Sequence, residues 1–204
     1  MKKSFIFTGI LLFTTVLLSF SQQDAREGKW ISYTEGGLLI GNSENNKKAP
    51  LIFRSSLNYE FHKNLFAGVG AGVEFLNETN LPVTANILYQ FKKNKNIYPF
   101  VRLQTGYQVP LESTTSVYNN FSYYLYSSLS YLPYPSYYPS WEKLKARGGW
   151  LFEPSAGVIY YLQSGLGFSL SAGYRHHTLK YTGENDYKLF TEYNRLLLAL
   201  GIIF

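Results

Sequence analysis

The residues best equipped for chemistry gather in two places. One is the run Arg175, His176, His177 and Thr178 within SAGYRHHTLK. The other is SVYNNFSYYLYSSLSYLPYPSYYPSWEKLKARGG, which holds Tyr118, Tyr123, Tyr124, Tyr126, Tyr131, Tyr134, Tyr137, Tyr138 and Trp141. Two adjacent imidazoles suggest a metal ion, but neighbours on an extended strand point to opposite faces. His176 and His177 therefore cannot chelate one ion together, and neither a metal site nor a cofactor is assigned. Tyrosines suit recognition, because they offer rigid amphipathic contact area with little side-chain entropy to lose. From Tyr123 to Trp141 they suit a glycan, a host protein or a lipopolysaccharide surface; the competing reading is a loop packed on itself as a lid. Its YLPYPSYYPS part reads as turn or polyproline-like, and SYYLYSSLSY as an extended hairpin arm. The glycines of GVGAGVE do not form a nucleotide loop, because no helix follows them.

Composition narrows the chemistry further. The chain has 204 residues and no cysteine, which removes disulfides, thiolate metal sites, a cysteine nucleophile and a cysteine-borne lipid anchor. Its formal charge of +6 comes from scattered basic residues, which speaks against nucleic acid as a partner. Aromatic residues, at 18%, outnumber charged ones at 16%, a balance that favours a protein wetted by something other than water alone.

The elements that must position these residues are strands. MKKSFIFTGILLFTTVLLSFSQQ has the basic start, apolar run and small-residue exit of a secretory signal peptide, so residues 1–21 are expected to be removed. Residues 22–29 form a short lead-in, and residues 30–204 one β-barrel domain. Within it, apolar and polar residues alternate with the period of two that marks strands with two different faces. Eight such segments appear, at about 30–41, 50–61, 65–76, 82–92, 97–109, 149–162, 166–179 and 194–204. A strand of about 11 residues tilted near 45° spans roughly 25 Å, the height of an outer-membrane apolar band. The links after the second, fourth and sixth segments are short (HKN, KKNK, QSG), and the fifth link, about 110–148, is very long. That alternation of short turns and long loops predicts an all-β, eight-stranded antiparallel up-and-down barrel with both termini at the short-turn end.

The two parities then separate by chemistry. One holds Tyr59, Phe61, Tyr89, Phe91, Tyr160 and Phe204 near one end and Phe53, Phe75, Tyr107, Trp150, Phe152 and Tyr174 near the other. Val69, Ala71, Ala85, Ile87, Leu103, Ala156 and Leu170 lie between, so this parity reads as two aromatic girdles around an aliphatic, lipid-facing belt. The opposite parity carries Arg54, Glu74, Arg102, Glu153, Arg175 and Arg195, which read as structural ion pairs filling a narrow lumen. With the QSG turn centred on Ser164, Glu153 falls opposite Arg175 and Pro154 opposite Tyr174. With HKN centred on Lys63, Arg54 and Glu74 become diagonal neighbours. The glycines of GVGAGVE share the inward parity and are expected to make room for large side chains across the lumen.

On TEGGLLIGN, LFAGVGAGVEF, PFVRLQTGY, SAGYRHH and the closing LLLALGIIF, the chain resembles the small eight-stranded outer-membrane barrels of the OmpA/OmpX type. It is similar more closely to the porin-family outer-membrane β-barrel proteins. The resemblance implies the outer membrane of a Gram-negative bacterium, periplasmic termini, and outer-membrane lipid and lipopolysaccharide as surroundings. It also implies periplasmic chaperones and the barrel-assembly machinery, which reads a last strand ending in an aromatic residue, here Phe204 after Leu196, Leu198, Leu200 and Ile202. Some such barrels are lipid A deacylases with a His-x-Ser arrangement and an acidic partner on the lipid-facing wall. His176 and Thr178 mimic that spacing, with Glu184 or Glu192 as orienter. Threonine stands in place of the serine and the flanking asparagine is missing, so no catalytic residue is assigned. The expectation is a non-enzymatic barrel that braces the membrane and presents loops for adhesion or ligand contact. A narrow solute channel is the first alternative and a lipid A-modifying enzyme the second.

Overall fold

The computed structural model describes residues 30–41, 49–76, 79–91, 96–111, 115–118, 141–182 and 188–204, and every described element is a strand or a turn. The strands are β1 (Trp30–Ile40), β2 (Leu51–His62), β3 (Leu65–Phe75), β4 (Thr79–Gln90), β5 (Ile97–Pro110), β6 (Thr115–Tyr118), β7 (Trp141–Tyr161), β8 (Gly167–Thr182) and β9 (Lys188–Ile203). All pair antiparallel with their neighbours, in the order β5-β4-β3-β2-β1-β9-β8-β7-β6. A further pairing of β5, the first strand in that order, with β7, the last but one, closes eight long strands into a barrel. Among the described residues, the four-residue β6 stands outside the ring and pairs with the first residues of β7. Closure leaves no open edge at the level of the barrel, which is how a sheet survives where water cannot satisfy its backbone.

Register follows from the short turns. Tyr161 pairs with Gly167 around the turn centred on Ser164, and the same register runs up to Phe152 and His176. Around Lys63, Ile52 pairs with Glu74 and Arg54 with Gly72. Asn64 takes the left-handed conformation (φ 59°) in this turn, and its N–H donates to Glu60 Oε1 at 2.7 Å. A carboxylate on the last inward position of β2 thereby caps the reversal. β1 and β9 close the ring from Tyr33–Ile203 to Ile40–Leu196, with Ser32 and Phe204 exchanging backbone hydrogen bonds of 2.9 and 3.0 Å beyond them.

The outer wall is apolar. Leu200 (67% exposed), Val69 (67%), Leu170 (61%) and Leu196 (58%) project outward, joined by Val83, Ile87, Val101, Leu103, Val158 and Ile202. Trp30 packs on Tyr59 at 4.8 Å and Tyr89 on Phe91 at 4.7 Å near the short-turn end. Tyr107 meets Trp150 edge-on at 5.6 Å toward the long-loop end, where Phe53, Phe75, Phe152 and Tyr174 are also exposed.

Two expectations need correction. First, three strands run further than the apolar alternation suggests: β7 begins at Trp141, β8 continues to Thr182, and β9 begins at Lys188. These extensions pair with each other in regular ladders, and pairing does not require an apolar outer face. Second, the β3 glycines make room for the neighbouring strand, not for side chains across the lumen. A Cβ on Gly70 would meet Ser55 O at 2.8 Å and Ser56 Cβ at 2.9 Å, both on β2.

Candidate functional site

The lumen is stacked in three layers. Nearest the short turns, Tyr33, Phe66, Leu88, Phe100, Ile159 and Ile203 form an apolar cluster, with Ile31, Tyr98 and Tyr161 packed against it. Toward the long loops, Leu39, Ile52, Leu76, Ala146, Leu179, Tyr181, Leu197 and Ala199 form a second one. Between them lies a layer of fully buried charge. Alternation explains why: Tyr33, Glu35, Gly37 and Leu39 of β1 all point inward, and Ile52 and Arg54 of β2 do the same one strand away.

Arg54 is the hub of the middle layer. Its Nε donates to Glu35 Oε1 at 2.7 Å, while Nη1 and Nη2 donate to Glu153 Oε2 and Oε1 at 2.8 and 2.7 Å. The second contact is the parallel two-bond fork that a planar guanidinium makes best with a carboxylate. Arg102 joins from β5, its Nη2 at 2.9 Å from Glu35 Oε1, and its guanidinium lies over the Tyr33 ring at 4.9 Å. Tyr33 in turn shares a 2.8 Å hydrogen bond with Ser169 on β8. Arg175 Nη1 meets Glu74 Oε1 at 2.5 Å, and Gln108 Nε2 donates to the other oxygen of Glu74 at 2.5 Å. Arg195 stands directly across the β8–β9 ladder from Arg175. Its Nη1 donates to Leu39 O at 3.4 Å, and its guanidinium covers the Tyr193 ring at 5.4 Å. His177 is buried beside them, stacked on Tyr193 at 5.0 Å.

All six interior charges singled out from the sequence lie in this buried set, and the expected Glu153–Arg175 ion pair is present, but it is not the main contact of either residue. Glu153 and Arg175 are adjacent in register, yet Arg175 Nη1 is 3.7 Å from Glu153 Oε2 while Arg54 binds both Glu153 oxygens. Arg54 and Glu74 are likewise neighbours that each turn to another partner. The reason is reach: in so narrow a ring a long arginine crosses the lumen and finds a fork-shaped contact there. Glu35 was missed altogether. Its signal was the Tyr33, Glu35, Leu39 parity of β1, which the Gly36–Gly37 pair obscures.

On the outer wall, His176 Nδ1 lies 2.9 Å from Asn194 Oδ1, and Thr178 is paired with Glu192. His176 and Thr178 thus share a face, but the group that orients the imidazole is an amide, not a carboxylate; Glu184 lies outside the described residues. No cluster of three or more His, Cys, Asp or Glu side chains able to hold a metal occurs among the described residues. Tyr123, Tyr124, Tyr126, Tyr131, Tyr134, Tyr137 and Tyr138 also lie outside the described residues, as do residues 1–29. Of the recognition candidates, Trp141 falls at the start of β7, opposite Tyr118 of β6.

This closed ring, apolar outside and filled with ion pairs inside, defines the class by its fold: a small eight-stranded barrel of the outer-membrane type. Neisserial surface protein A has the same fold, with a TM-score of 0.52, 11% identity, and coverage of 86% of this chain and 96% of that one. The outer membrane protein OprG from Pseudomonas aeruginosa is similar too, with a TM-score of 0.50, 12% identity, and coverage of 87% and 96%. No protein-family model matches the chain, and no curated protein matches it in sequence.

Proposed function

We propose that the protein is an integral outer-membrane barrel that does not conduct and that carries surface loops for adhesion or ligand contact. The observation that supports this most strongly is the inversion of the usual protein: leucines on the outside and arginine–glutamate pairs at the centre. Such a wall is stable only against hydrocarbon, and the aromatic residues near both ends suit the two interfaces. The long loops then face outward, and both termini lie in the periplasm.

The stacked lumen speaks against the channel alternative. A solute would have to break two apolar clusters and a layer of buried ion pairs centred on the Arg54–Glu153 contact. Purified protein in planar bilayers is expected to give no steady conductance; stepwise openings that Arg54→Ala enlarges would restore the channel reading. The Asn194 contact of His176 speaks against catalysis in the same way, and lipid A composition should be unchanged in a deletion strain.

Surface presentation is tested by replacing residues 119–140 with a short Gly-Ser linker. The barrel should still migrate as a heat-modifiable band in the outer-membrane fraction, while binding to immobilised glycans or host matrix proteins is lost. Unaltered binding by that variant would sink the adhesion reading and leave the barrel itself untouched.

A further inference from the structure

Beyond the outer aromatic girdle, β7, β8 and β9 continue as a wall above the last residues of β1 and β5. The outward face of this wall is basic. Lys145, Arg147, Lys180 and Lys188 are all exposed on it. Lys145 pairs with Thr182 and Thr182 with Lys188, so these three form one row across the strands, about 10 Å wide. The next row down is Gly148, Lys180 and Phe190, with Lys180 Nζ 5.5 Å from the Phe190 ring.

Arg147 reaches this face through a built distortion. The β7–β8 register slips between Ala146 and Gly148, leaving Arg147 as the extra residue of a bulge. Gly148 takes a φ of 77°, and Tyr107 Oη donates to Arg147 O at 2.9 Å. Arg147 Nε donates to Thr182 Oγ1 at 2.9 Å, which fixes the guanidinium plane and leaves its terminal nitrogens for an outside acceptor. Directly below the cations the same wall presents Trp150 (62% exposed), Phe152, Tyr174 and Leu196. Glu192, opposite Thr178, is the acid on this face among the described side chains. On the other side of the barrel, the described parts of β1 to β5 carry no outward-facing lysine or arginine at their long-loop ends.

We infer that the β7–β9 wall binds one phosphorylated glycolipid of the outer leaflet, with Lys145, Arg147, Lys180 and Lys188 on its phosphates. The acyl chains lie along Trp150, Phe152, Tyr174 and Leu196. Charge complementarity and height select this occupant. A cationic row immediately above an aromatic girdle sits where headgroup phosphates meet the end of the hydrocarbon. A soluble anion would make no use of the apolar wall beneath. The inference rests on the outer-membrane reading above, and the two fail separately: a protein absent from the outer-membrane fraction defeats that reading, whereas the binding assay uses refolded barrel.

The test compares full-length mature protein refolded in detergent with three probes: bisphosphorylated lipid A, the same lipid with both phosphates removed, and inorganic pyrophosphate. Wild-type protein should prefer the bisphosphorylated lipid by about tenfold or more, a preference that shrinks as salt is raised. The variant K145Q/R147Q/K180Q/K188Q, altered only at exposed positions, should lose that preference while still shifting on heating in gels. K63Q, in a turn at the opposite end, should keep it. Equal binding of the two lipids by wild type, or an undiminished preference in the quadruple variant, overturns the proposal. Pyrophosphate binding as tight as that of lipid A also overturns it, because the site would then be one for soluble anions.

Discussion

At the scale of single residues, Arg54 and Glu153 matter most. Each is held in the lumen where water cannot replace a lost partner, so removing one leaves the other charged and buried. Glu153→Gln should lower stability to urea by about 3–5 kcal/mol, the range found when one member of a buried pair is deleted. Replacing both residues with apolar side chains should cost much less than the two single changes added together, as a double-mutant cycle in refolding titrations would show. Strict additivity would mean that the fork contact contributes nothing. Parity in the sequence already puts Arg54 and Glu153 inside, opposite the parity that carries Phe53, Leu57, Phe152 and Ala156. It does not choose between the partner beside a residue and the partner across the lumen, since that depends on ring width and side-chain reach. Glu35 shows the same limit, for glycines on both parities hide the face it belongs to.

At the scale of elements, strands were legible wherever both faces had a reason to differ. LFAGVGAGVEF and LLLALGIIF alternate cleanly because one side meets hydrocarbon and the other the lumen; the first matches the bounds of β3 closely, and the second forms the closing part of the longer β9. WEKLKARGG does not read as a membrane strand, because on its described side chains the buried Ala146 is flanked by exposed Lys145 and Arg147, a basic outer side. The structure makes it the opening stretch of β7, nine of the strand's 21 residues. A strand that rises out of the membrane keeps its ladder and exchanges leucine for lysine on its outer face. This predicts a depth-dependent response to charge. Leu200→Arg, on the outward face between the two aromatic levels, should destabilise the barrel by about 2–4 kcal/mol in lipid vesicles. Phe190→Arg, in the extension, should change stability by less than about 1 kcal/mol. Similar losses at both sites would contradict the assignment of the extension to the water side. Gly148 is a further element-level mark: its positive φ and the close approach of the Gln108 backbone oxygen make Gly148→Ala strained, by about 1–3 kcal/mol in urea titrations.

At the scale of the whole molecule, the account depends on which solvent meets which surface. Strand count, direction and closure all followed from turn lengths and period, because an antiparallel ring with short turns at one end has few alternatives. The stacking of the lumen into apolar, ionic and apolar layers did not, since it arises from strand stagger, which brings residues distant in sequence to one height. The tyrosine-rich loop shows the remaining limit: its composition suggests contact with something, while the partner's chemistry is written in neither spacing nor parity. The central claim, that the leucine-covered wall faces hydrocarbon, can be measured directly because the native chain has no cysteine to interfere. Single cysteines at Leu170, Leu200 and Lys188, each carrying an environment-sensitive fluorophore, would be read in vesicles containing lipids brominated at known depths. The account predicts blue-shifted emission at Leu170 and Leu200, quenched most by bromines deep in the acyl chains, and quenching at Lys188 only by bromines near the headgroup. Red-shifted, water-like emission at Leu170 and Leu200, indifferent to the brominated lipids, would contradict it.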